Sequence, residues 1–421
     1  MLERTRALVD PGRLYLWTET GDGAISSLIF TLNLVYQAVV VGLSPFQLVL
    51  VGTVLEVAAF VAEVPTGIVA DLRSRRLAVV VGYLLIGAGF TLEGAVPAFG
   101  AVLAAQVIWG TGAAFTSGAW QAWVVDETSE DRAEGLFLRG AQLALAAGIA
   151  GIAGSVALGW TTPRVPVVVG GILWMLVGCA LWCLMSEHGF TPLQRVERTA
   201  FRQAIRTGRS GLRLVRAVPV LAALALAQLF SGLSSEAVDR LWTPQFLTIG
   251  LPTGARAVVW FGVIAVVSML IGIVAIGLAR RHVEGRGDLR AARVMIGLTM
   301  LQVVAIGAFA AAGNVAVALA AWWALQLARD VSGPVTAGWL NRHVPAETRA
   351  TVLSLQAQAN AAGQIVGGPL CGWAASAVSL RAGLGLAAAF LAPAVLVLGR
   401  YRRGLASSAT YVAPAGESSD S

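Results

Sequence analysis

The stretch Glu63–Arg76 reads EVPTGIVADLRSRR, and its reading decides how the remainder of the chain is organised. One long apolar run precedes it and another follows, so it is a tight connection between two membrane-crossing helices. It gathers one carboxylate, Asp71, with three guanidiniums, Arg73, Arg75 and Arg76, and places Gly67 one turn before the acid. Asp71 and Arg75 stand four apart, the spacing at which side chains meet if the helix continues through both. A basic cluster alone would serve to fix topology. It would not account for Gly67, Asp71 and the arginines sharing one short turn.

Outward from this turn, 57% of the 421 residues are hydrophobic and only 13% are charged. The mean hydropathy is +0.75. A soluble domain has no use for so much apolar surface, and apolar runs long enough to cross a bilayer recur along the chain. The class is an all-α polytopic membrane protein. The net charge of +7 sits in the connections between spans, which excludes a nucleic-acid-binding reading. Every basic residue is arginine, and with the Ala, Gly and Val load this points to a GC-rich bacterial genome. Cys179, Cys183 and Cys371 lie in apolar stretches without metal-type spacing, so neither a disulfide frame nor a metal or cofactor site is expected. Acidic and polar residues interrupt the first apolar run, so it reads as a retained span and not a cleaved signal.

Twelve spans fit: 14–42, 44–71, 76–94, 97–126, 130–160, 164–186, 218–247, 253–280, 290–313, 314–342, 346–378 and 380–400. The termini and even-numbered connections carry 24 of the 30 arginines, and the odd-numbered connections carry Arg164, Arg256 and Arg381. That bias predicts that both termini are cytoplasmic, in a bacterial inner membrane. The domains expected are a six-helix bundle over 1–186, a linker over 187–217, a second bundle over 218–403 and a disordered tail over 404–421. In the linker, Arg195, Arg198, Arg202, Arg206, Arg209, Arg213 and Arg216 recur every three or four residues. This makes one helical face a cationic stripe suited to the anionic lipid of the inner leaflet.

The halves repeat faintly. SGAWQAW (117–123) and EDRAEGLFL (130–138) recur as SGPVTAGW (332–339) and AETRATVLSL (346–355). Together with Gly67, Asp71, Arg75 and Arg76, these features resemble the major facilitator superfamily of transporters, in particular its bacterial drug or small-molecule exporters. Leu72 and Ser74 depart from the family's loop pattern. The resemblance implies two pseudo-symmetric six-helix bundles, alternating access, and a conformational latch in which Asp71 and Arg75 act with Arg73 and Arg76 in support. In span four, Gln106, Val107, Ile108, Trp109 and Gly110 stand where many proton-coupled members carry an arginine, two residues and Gln-Gly, so Gln106 occupies the place of the arginine. Span five keeps Gly148, Gly151 and Gly154 without the exporters' proline, so the antiporter signature is partial.

Charged groups inside spans are functional candidates, with structural pairing as the alternative. Span seven holds Glu236, Asp239 and Arg240; Glu236 and Arg240 are spaced to neutralise one another, leaving Asp239 without a local partner. Arg329 and Asp330 are adjacent in span ten, pointing about 100° apart, and an acid of span seven or two is the candidate partner of Arg329. Glu56 and Glu63 share a face of span two. Arg139 enters span five, with Asp22, Glu19 or Glu63 as its candidate partner. Glu56 and Asp239 lead as proton carriers. Asn33 and Gln37 in span one and Gln228 in span seven lie on polar stripes that face a bundle interface or water, and with Gln106 of span four they are the candidate polar lining of a substrate cavity. Trp109, Trp120, Trp322 and Trp323 offer a stacking surface for a flat organic substrate, with packing or belt anchoring as the alternative. His188, His282 and His343 sit on separate connections, and no nucleophile elbow or phosphate loop is present, so the chain is not read as an enzyme. The expected function is proton-coupled export of a small hydrophobic or amphiphilic compound by a monomer. The alternatives are proton-coupled metabolite uptake, or a membrane receptor or scaffold that binds without transport.

Overall fold

The computed structural model describes residues 9–191, 212–213, 215–252, 255–283, 287–344 and 346–411. Most of the arginine-striped linker, 192–211 and 214, lies outside the described residues, as does the tail from 412. Twelve long helices follow in order: α1 Pro11–Val40, α2 Pro45–Leu72, α3 Arg75–Ala95, α4 Phe99–Glu127, α5 Glu130–Gly159 and α6 Arg164–Leu184 in the first half. The second half runs α7 Pro219–Ile249, α8 Ala255–Val283, α9 Asp288–Ala311, α10 Val315–Asn341, α11 Ala346–Ala377 and α12 Leu380–Tyr411. Ten of them are long and apolar enough to cross a membrane by composition. The other two, α10 and α11, carry Arg329 with Asp330, and the Gln356, Asn360 and Gln364 row.

The helices begin where the sequence supplies caps. Asp10 accepts from the Arg13 N–H ahead of Pro11, and Ser44 and Gln47 form a reciprocal capping box at α2. Ser74 caps α3 and Ser129 caps α5. Two helices are interrupted. The end of α1, Tyr36–Val40, winds as a π-turn, and α4 breaks at Ser117–Gly118, where Gly118 takes φ 74. The matching Ser332–Gly333 of the repeat lies in an unbroken stretch of α10. The last helix runs to Tyr411, eight residues into the stretch expected to be irregular, because Gly404–Tyr411 holds alanine and leucine but no proline.

Two compact units are formed. The first takes in Met1–Arg206, Glu236–Val267 and Gly368–Gly383; the second takes in Thr207–Ser235, Ser268–Gly367 and Leu384–Ser421. Within the first, α1 and α5 touch backbone to backbone. A Cβ on Gly23 would overlap Ala144, and one on Gly151 would overlap Ala24. Within the second, α7 and α11 approach in the same manner, with Gly232 against Asn360 and Gly367 against Leu233. Such close approach replaces the hydrophobic drive that helices lack in lipid.

Candidate functional site

The first unit is built around a carboxylate that the sequence reading passed over. Glu93, near the end of α3, is 1% exposed. Gln37 Nε2 donates to its Oε1 at 2.7 Å and Gln106 Nε2 donates to its Oε2 at 2.8 Å. Asn33 lies within hydrogen-bonding reach of the same carboxylate, and Tyr36 Oη donates to the Glu93 carbonyl at 2.6 Å. The π-turn of α1 delivers Tyr36 and Gln37 to this point, a common use of such turns. Asn33, Gln37 and Gln106 are therefore buried around an acid. They do not line an open cavity, because burying that acid requires donors. Their amide oxygens find no donor in the described structure. Glu93 falls at the boundary expected for the third span, where an acid reads as facing the headgroups. The signal that could have exposed it was the row of buried amides with no other use.

A second charged group lies beside it. Arg240 Nε donates to Glu236 Oε1 at 3.0 Å, with both side chains nearly buried. A Cβ on Gly52 would overlap the Glu236 carboxylate, so glycine lets α2 pass directly over the pair. Glu56, one turn further along α2, is within electrostatic reach of Glu236 and Arg240, and Glu93 is within reach of Arg240. Glu236 thus pairs with the guanidinium, and Glu56 and Glu93 lie within its electrostatic reach. Asp239, expected to have no local partner on its own helix, is not buried with the pair. It lies on the exposed side of α7 and engages a partner.

Along α1, Trp174 Nε1 donates to Asp22 Oδ1 at 3.0 Å and Trp120 Nε1 donates to Glu19 Oε1 at 2.8 Å. Tyr15 packs on Trp120, which stacks in parallel on Trp123 at 5.2 Å. Arg139 pairs with none of Asp22, Glu19 or Glu63. It is exposed, and lines a groove with Asp10, Arg13 and Arg132, because the α1–α5 seam is filled by glycine and alanine and turns its longer side chains outward. Trp109 packs against Phe30 and Phe90, and Trp322 is buried against Phe309. These two indoles are packing residues here. Trp323 is half-buried with its Nε1–H unbonded.

The α2–α3 turn corrects the expected pairing. The helix ends at Leu72, Arg73 caps it, and Ser74 is extended, so Asp71 and Arg75 never share one helix. Arg75 instead bonds Asp126 and the Ala122 carbonyl at the end of α4, and lies over Phe190. Arg76 bonds the Trp182 carbonyl and covers its ring, and Glu187 accepts from Ser74 Oγ and the Arg76 N–H. Asp71 and Arg73 are exposed, and Asp71 makes no ion pair among the described residues. A Cβ on Gly67 would meet nothing within 4 Å. Asp126 and Glu187 were absent from the sequence reading, since both lie far from the turn along the chain.

The second unit holds a cavity of about 220 Å³ between α7, α9, α10 and α12. Gln228, Ser231, Gln302, Arg329, Ser332 and Thr336 give it a polar wall. Leu224, Met295 and Leu391 supply the apolar side. Asp330 does not line it; its carboxylate lies against Gly272 of α8. Where the second half turns from α8 to α9, Asp288 binds His343 at 2.8 Å and Arg342 at 3.6 Å. There the acid sits on the incoming helix and the basic residues Arg342 and His343 follow α10, the reverse of Arg75 and Asp126.

The sequence profile of the Major Facilitator Superfamily matches residues 21–322. An uncharacterized MFS-type transporter, YxaM, of Bacillus subtilis (strain 168) is 22% identical over 360 residues, 84% of this chain and 85% of its own. Two solved structures superpose over nearly the full length. A bacterial homolog of the human lysosomal transporter Spinster gives TM-score 0.76 at 15% identity, covering 94% of this chain and 98% of its own. The nucleoside transporter NupG gives 0.71 at 12%, covering 94% and 99%.

Proposed function

Since this chain belongs to the major facilitator superfamily, a family of secondary transporters and not of enzymes, we propose that it exchanges protons for a small amphiphilic compound and exports that compound. The observation that carries this reading is the surplus of carboxylates: Glu56, Glu93 and Glu236 share Arg240. Each ion withdrawn from water costs several kcal/mol unless it is paired, so three acids within reach of one cation form a natural proton exchanger. Glu93 joins Glu56 as a proton carrier, while Asp22 and Glu19, gripped by indoles, act in positioning. Asp71 and Arg73, exposed in this conformation, engage in the opposite one, which makes the α2–α3 turn the latch. The arginine bias supports cytoplasmic termini in an inner membrane, and the striped linker suits anionic lipid as its partner.

Inverted membrane vesicles with an imposed pH gradient test this reading, screened across dyes, antibiotics and metabolites. Gradient-driven accumulation in wild type should fall at least tenfold in Glu56→Gln and Glu93→Gln, while substrate-for-substrate exchange persists. Accumulation driven only by a sodium gradient, or intact coupling in both variants and in Asp239→Asn, would overturn it. Accumulation in right-side-out vesicles alone would reverse the direction to uptake, and binding without movement would make the chain a receptor.

A further inference from the structure

We infer that the cavity of the second unit is a subsite for the carboxylate of a small organic monoacid. The inference rests on the transport reading above only for what happens to the acid after it binds.

Three donors converge on the cavity. Arg329 is the one charged side chain among the described residues that line it. The Gln228 amide and the Ser231 hydroxyl, one turn apart on α7, make no side-chain hydrogen bond among the described residues. The Gln228 carbonyl alone is engaged, by Asn360 Nδ2 at 3.2 Å. Gln302, Ser332 and Thr336 are tied to one another's helices and fix the wall. Gln302 Nε2 donates to Ser332 Oγ at 3.1 Å, and Ser332 Oγ donates to the Ala328 carbonyl at 2.7 Å. Thr336 Oγ1 meets Met295 Sδ at 3.6 Å. Gln228 and Ser231 remain available to a ligand beside the guanidinium. A guanidinium with two neutral donors matches the acceptors of a carboxylate.

Charge and size narrow the class. Asp330, adjacent in sequence, is turned onto Gly272 and adds no charge to the lining, which leaves one guanidinium as the charge of the described wall. The site is therefore matched to a single negative charge, which disfavours a phosphate dianion. The volume, about 220 Å³, is that of roughly seven waters at ~30 Å³ each. It is below the roughly 300–1,000 Å³ of pockets for drug-sized ligands. Leu224, Met295 and Leu391 then accept a short apolar body, which makes the ligand amphiphilic by the same geometry.

Calorimetric titration of the purified full-length protein in detergent, at one pH with no gradient, tests the inference. The probes are butyrate, hexanoate and benzoate, their uncharged amides, and inorganic phosphate. At least one acid should bind saturably and at least tenfold tighter than its amide. Arg329→Gln should bring that acid down to the level of the amide, and Arg329→Lys should stay within about threefold of wild type. Equal binding of acid and amide, tighter binding of phosphate, no saturable binding of any acid, or unchanged binding in a monodisperse Arg329→Gln would overturn it. Should Arg329→Gln fail to fold, the comparison of acid with amide on wild type still decides. Because no gradient enters the measurement, loss of coupling in vesicles leaves this site standing, and loss of this site leaves coupling standing.

Discussion

At the scale of single residues, Glu93 shows how burial and function become separable by substitution. Replacing it by glutamine keeps its volume and most of its hydrogen bonds, so folding should change little while exchangeable charge is lost. Replacing it by leucine strands the Gln37 and Gln106 amides, at about 1–3 kcal/mol for each buried donor left unpaired. Thermal melts in detergent should therefore rank wild type with Glu93→Gln above Glu93→Leu. Equal melting of all three would mean that the amides have other partners. Asp10 gives a second case, outside the membrane. Its slight burial pushes its pKa up, but the Arg13 N–H and the Arg132 guanidinium outweigh that and hold its carboxyl below the usual range. A carboxylate with a lowered folded pKa stabilises above its unfolded pKa, about 3.9, and that contribution disappears as pH falls through the folded value. Asp10→Asn should thus melt slightly lower than wild type near neutral pH and match it in strong acid. Both partners are well exposed, so the gap stays at or below about 1 kcal/mol and shrinks with salt.

At the scale of elements, the turn between α2 and α3 was legible as a turn but not as a set of contacts. Periodicity and charge located it to within one residue, with span ends expected at 71 and 76 against Leu72 and Arg75 in the structure. What spacing could not convey is that the backbone unwinds at Arg73–Ser74, which removes the i,i+4 geometry and frees Arg75 for Asp126, 51 positions away. The same limit hid Glu93, whose partners come from α1 and α4. Local patterns register neighbours along one helix; a buried acid is explained only by helices that pack beside it. The Arg75–Asp126 contact makes its own prediction. It is partly buried and charge-assisted, so Arg75→Ala should cost about 1.5–3 kcal/mol. Adding Asp126→Asn to that variant should cost much less than it does in wild type. Full additivity in a double-mutant cycle on melting would show that the two side chains are not coupled.

At the scale of the whole molecule, two arrangements solve one problem twice. Glycines bring α1 onto α5 in one unit and α7 onto α11 in the other, and each half ties the start of its third helix to the end of its fourth through an arginine–aspartate ion pair. The polarity of that pair is inverted between halves, with Arg75 facing Asp126 in the first and Asp288 facing His343 and Arg342 in the second. A duplicated framework that keeps its geometry and exchanges its charges is held by packing, and leaves its ionised groups free to diverge in role. Orientation in the membrane is the property that such divergence must not disturb, and it rests on the 24 arginines of the termini and even-numbered connections against three in the odd ones. With Cys179, Cys183 and Cys371 replaced by serine, single cysteines at Ala98 or Thr161 should react with a membrane-impermeant maleimide on intact cells. Single cysteines at Ser74 or Gly287 should react only after permeabilisation. Labelling in the opposite sense would turn the molecule over.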